Sequence, residues 1–70
     1  MTKIIMTNQN RIEFTENEPY IQLSRMFAGS RDIELALIDP ENRSSQAIYL
    51  RATDVKELRY SLKAMEGMLK

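Results

Sequence analysis

The apolar residues of this chain change their spacing once, and that change limits the folds open to it. Through Leu50 they recur at every second position within short segments, as half-buried strands require. From there on Val55, Leu58, Leu62, Met65 and Leu69 are spaced three, four, three and four, which is one stripe of an α-helix. Strands followed by a single helix imply an α+β fold.

Turn formers divide the strand-like part. Residues 3–7 end at Asn8-Gln9-Asn10, and Arg11-Ile12-Glu13-Phe14-Thr15 alternates polar and apolar until Glu16-Asn17-Glu18-Pro19 breaks it. Tyr20-Ile21-Gln22-Leu23-Ser24 alternates again, and Gly29-Ser30 supplies the next turn. Ile33, Leu35 and Leu37 mark a further strand, Asp39-Pro40-Glu41-Asn42 opens a loop, and Ile48 and Leu50 lie in phase after it. The predicted strands are therefore 3–7, 11–15, 20–26, 32–38 and 46–51. Their short connections predict an antiparallel meander of four to five strands. The helix is predicted over 54–69, with Thr53 as N-cap, Asp54 in the first turn and Lys70 at the far end. One face of the sheet gathers Ile4, Met6, Ile12, Phe14, Ile21, Leu23, Ile33, Leu35, Leu37, Ile48 and Leu50. The helix is expected to pack across that face, all within one small domain spanning 1–70.

Size then says what such a fold must rely on. A chain of 70 residues buries only about 60% of its extended surface, and domains this small lean on disulfides, metals or a partner subunit. With no Cys and no His, disulfides and the usual zinc sets are excluded. Oligomerisation is left, and a homodimer is expected. The first residues form no secretory h-region, and no run of about 18 apolar residues exists. A cytoplasmic location and no membrane partner are the expectation.

Catalytic chemistry finds little to work with. Without His or Cys there is no imidazole base and no thiolate. Only two Gly are present, so no Gly-rich phosphate loop forms. The carboxylate pair Asp32/Glu34 falls on a strand, where charged side chains ordinarily face water. No enzyme, no catalytic residues, no metal, no cofactor and no small-molecule substrate are expected.

Nucleic acid is a fuller possibility. The face opposite the apolar one should carry Lys3, Arg11, Tyr20, Tyr49 and Arg51. Sheets bind single strands by stacking bases on aromatics while cations follow the phosphates. Against this, ten Lys and Arg balance ten Asp and Glu, where nucleic-acid binders show a basic patch. The run Ile33-Glu34-Leu35-Ala36-Leu37-Ile38-Asp39-Pro40-Glu41, then Ala47-Ile48-Tyr49-Leu50, Thr53, Asp54 and Leu58 resembles the end of transcriptional-coactivator PC4-like proteins. The resemblance implies a curved sheet with a C-terminal helix that dimerises and binds single-stranded DNA. It covers only the second half of the chain. Gln46-Ala47 stands where the family has Lys-Gly, and the family's basic sheet is absent.

Protein recognition is the third possibility. Tyr60, Ala64 and Met68, each four apart, make a second strip on the helix. Met adapts at binding surfaces and Ala permits close helix approach. Glu13, Glu16 and Glu18 form an acidic hairpin that could meet a basic groove. The reading that follows is a small dimeric regulator or inhibitor that occludes a macromolecular partner, a protein before a nucleic acid. Regulators of this size are common among phages and mobile elements. The alternative is a single-stranded DNA or RNA binder using the sheet face.

Overall fold

The structure, a computed structural model, describes residues 2–69. Four strands, β1 (Lys3–Thr7), β2 (Tyr20–Arg25), β3 (Ile33–Asp39) and β4 (Ser44–Leu50), precede one helix, α1 (Ala52–Met68). They form an open sheet in the order β1-β2-β3-β4. The α+β fold and the C-terminal helix are as the spacing predicts. Lys70 lies outside the described residues.

The sheet is mixed, which corrects the predicted meander. β2, β3 and β4 are antiparallel, but β1 runs parallel to β2, with Lys3 opposite Tyr20 and Thr7 opposite Ser24. Parallel neighbours need a crossover of about a dozen residues, and residues 8–19 supply it.

Residues 11–15 lie in that crossover and form no strand. Their alternation still reports burial correctly, because Ile12 and Phe14 pack on the core of Tyr20, Ala36 and Ile38 while Arg11, Glu13 and Thr15 face water. What fails is the ladder. The Arg11 carbonyl accepts a hydrogen bond from Gln22 Nε2 at 3.0 Å, and Phe14 sits at φ 50°, which an extended strand cannot hold. A left-handed backbone at a bulky residue costs on the order of 1–3 kcal/mol. The packed ring offsets it, with the Arg43 guanidinium 4.7 Å above the ring centre.

The two β-turns are built from local polar partners. Between β2 and β3, Gly29 takes φ 82°, and the Ser30 hydroxyl both accepts from the Asp32 N–H at 3.0 Å and donates to the Asp32 carbonyl at 3.2 Å. Between β3 and β4, the Asp39 carboxylate accepts from Asn42 Nδ2 at 2.7 Å, and Arg43 closes the turn at φ 49°.

The helix begins two residues earlier than Thr53 as N-cap requires, so Thr53 sits inside its first turn. One local and one tertiary partner make that earlier start possible. The Asp54 carboxylate accepts the Arg51 N–H at 2.9 Å, and the Asp32 carboxylate accepts the Ala52 N–H at 3.3 Å.

The expected packing of the helix across the sheet does not occur. No residue of α1 is buried, and β4 is the only strand it touches appreciably. The molecule measures 33 × 32 × 15 Å, too thin for a helix layer about 10 Å from the sheet on that side as well as the crossover on the other. Its radius of gyration is 13.2 Å, against about 11 Å for a compact chain of this length.

Phe14→Ala removes the main apolar cover of the core and the Arg43 contact together. We expect a loss of about 2 kcal/mol, read from the urea midpoint at unchanged slope.

Candidate functional site, an open apolar face

Strand register sorts the side chains onto two faces. Tyr20, Gln22 and Ser24 pair across with Ile38, Ala36 and Glu34, and with Lys3, Ile5 and Thr7 on the other side. This is the face beneath the crossover, and Tyr20, Gln22, Ser24, Ala36 and Ile38 are all buried there. Gln22 is buried without penalty because its amide donates to the Arg11 carbonyl.

The opposite face carries Ile4, Met6, Ile21, Leu23, Ile33, Leu35, Leu37, Ile48 and Leu50 in register. The alternation predicts these residues on one face, and they are. Among the described residues, none packs over them as a covering layer. Met6 is 80% exposed, Ile4 61%, Ile48 58% and Leu37 52%, while Ile21, Leu23 and Leu35 are half-buried only by their neighbours. The burial is thus inverted, with the more polar face closed and the more apolar face open.

The helix repeats the pattern. Its first stripe leaves Leu62, Met65 and Leu69 exposed, with Val55 and Leu58 half-buried near β4. The whole chain exposes 5966 Å² for 8.2 kDa, where a compact monomer of that mass exposes about 4,500 Å². The excess is well over a thousand square ångströms, and large apolar side chains of the sheet face and helix are among the exposed residues.

Asp32 fixes this arrangement from the β2–β3 turn. One oxygen of its carboxylate accepts the Tyr49 hydroxyl at 2.8 Å and the other accepts the Ala52 N–H. Asp32 and Glu34 therefore do not form a cation pair, since Asp32 is spent on β4 and α1. Among the described residues, no group of three or more acidic side chains gathers as a metal site.

The residues expected to bind nucleic acid are not brought together. Tyr20 is 3% exposed, so it is core and cannot stack a base. Lys3 pairs with Glu16, and Arg11 with Glu13 at 3.4 Å, so each cation already has a carboxylate beside it. Tyr49 and Arg51 remain exposed at the far end of the sheet. The same pairs dissolve the acidic hairpin as a cluster, leaving Glu18 exposed beside two paired carboxylates.

Tyr60, Ala64 and Met68 do lie exposed on the helix, with the Arg59 guanidinium 5.7 Å over the Tyr60 ring. The open face itself was missed because its residues were assigned to the core. The structure shows the reason: a single residue, Arg51, separates β4 from α1, too little chain to turn a helix back over its own sheet. Among the described residues, no helix is long and apolar enough to cross a membrane. No family model, curated protein or solved structure matches this chain.

The Asp32 contact has a titration signature. Tyr49 is held above the usual phenol value of 10.0, first by its hydrogen bond to the Asp32 carboxylate, then by desolvation and by that carboxylate's charge, with Arg51 opposing. A raised phenol pKa favours the folded state fully below pH 10, and the benefit is lost as pH rises through the folded value. We expect the Tyr49 ring-carbon NMR titration to have its midpoint above 10, and Asp32→Asn to bring it down.

Proposed function

We propose that this chain is a small non-enzymatic binding protein that works as a homodimer and regulates or inhibits a macromolecular partner by occluding it. The open apolar face carries this reading. Large contiguous apolar patches are rare on monomers and mark interaction surfaces. An excess exposure above 1,000 Å² is on the scale of the ~800 Å² each partner contributes to a stable interface.

A second copy suits that face. It brings the same apolar sheet and the same uncovered helix stripe, and net charge of zero sets no long-range repulsion between copies. The exposed strip Tyr60, Ala64 and Met68 is then left for the partner, whose chemistry would be that of a protein surface. The absence of His and Cys supports a role without catalysis. The single-stranded nucleic-acid alternative loses its support, because Tyr20 is buried and Lys3 and Arg11 are paired.

Light scattering on the intact chain tests the dimer. We expect about twice the chain mass at micromolar concentration, and the Met6→Glu/Leu37→Glu double variant to weaken association at least tenfold while keeping its circular dichroism. A wild-type chain that stays at monomer mass at 100 µM sinks the reading. Fluorescence anisotropy of a labelled mixed-sequence single strand should stay flat at low salt. Salt-sensitive micromolar binding there, lost in Tyr49→Ala or Arg51→Ala, would restore the nucleic-acid alternative.

A further inference from the structure

β4 is an edge strand of unusual character. It stands at the end of the sheet order with β3 on one side only. It is seven residues long, six of them are exposed, and Ser-Ser-Gln-Ala-Ile-Tyr-Leu contains no charge, no Pro and no Gly. Alternate residues of such a strand turn their N–H and C=O groups outward, ready to pair with another strand. Natural edges are ordinarily blunted by a charge, a Pro, a bulge or a covering element. Here α1 leaves the strand after Arg51, none of its residues is buried, and six of the seven β4 residues stay exposed beside it.

The other edge is different. β1 is two residues shorter, carries Lys3 paired to Glu16, and feeds directly into the crossover. Of the two edges, β4 is the unprotected one.

We propose that two copies of this chain pair antiparallel through β4, about a two-fold axis at Ala47, into one continuous eight-stranded sheet. This rests on the dimer reading above and names its edge. A two-fold axis makes the contact self-complementary. Only an axis at the central residue, Ala47, lets all seven residues pair. Ser45 then faces Tyr49 of the partner subunit, Gln46 faces Ile48 of the partner subunit, and the two Ala47 side chains meet at the axis. With no charge in the strand, no like charges oppose one another.

The same pairing enlarges the apolar surface and brings a helix to its border. It joins the two open faces side by side into one. It also starts each α1 beside Ser44 of the partner subunit, at the border of the partner's apolar face. A helix of 17 residues is about 25 Å long, enough to cross four strands spaced about 4.8 Å apart.

The chain lacks cysteine, which makes a direct test clean. Opposed residues of an antiparallel pair lie about 4.5–5.5 Å apart between Cα atoms, inside the range of about 4.4–6.8 Å that a disulfide spans. Ala47→Cys, a small change at an exposed site, should give a disulfide-linked dimer in most molecules on mild oxidation. Glu41→Cys in the β3–β4 turn lies over about 20 Å from its mate in this arrangement and should remain a thiol. Both variants and the wild type should have dimer mass by light scattering under reducing conditions. A dimer in which Ala47→Cys cross-links no faster than Glu41→Cys overturns the β4 pairing and leaves the dimer standing. Monomer mass for all three, with no cross-link, overturns both.

Discussion

The carboxylate of Asp32 receives the Tyr49 hydroxyl and the first N–H of α1, and so ties the β2–β3 turn, the end of β4 and the helix start at one point. With Arg51 alone between strand and helix, these contacts aim the helix away from the sheet. Each is an exposed hydrogen bond of modest strength. Their leverage comes from position. A helix directed at its origin needs only a small bias to hold its direction.

The consequence is a sheet closed on the wrong side by ordinary expectation. The crossover brings just Ile12 and Phe14 to the face of Tyr20, Ala36 and Ile38, a core that tolerates Gln22 and Ser24 because its polar atoms find partners. Apolar burial contributes roughly 25 cal/mol per Å², so an open face lined by Met6, Ile4, Ile48 and Leu37 leaves a large stabilising term unclaimed in the single chain. For a domain this small, whose total stability is only several kcal/mol, that term matters. A partner surface is its natural source, and a second copy offers the same two apolar elements.

Much of this was legible in the residues. Alternation placed Ile21, Leu23, Leu35, Leu37 and Ile48 on one face, and the register confirms the set. The three-four spacing located the helix to within two residues at its start. Residues 11–15 were misread because alternation reports which side chains are buried and is silent on where the backbone groups bond. Ile12 and Phe14 pack as a strand's residues would, while Arg11 bonds to a Gln22 side chain. The parallel β1 was equally hidden, since a side-chain period of two is the same in both strand directions. Tyr20 was placed on an open face because nothing local foretold that the crossover would lie over it.

By itself the amino-acid sequence determined the element types, the two-sided sorting of the strands, and the lack of thiol and imidazole chemistry. These depend on short-range geometry and on which side chains exist at all. Only the tertiary structure decided which face is closed, which cations are paired and where the helix points. Those outcomes turn on contacts between distant residues, Lys3 with Glu16, Arg11 with Gln22, and Asp32 with Tyr49 and Ala52. No local periodicity encodes them, because each is settled by competition among many possible partners once the chain has collapsed.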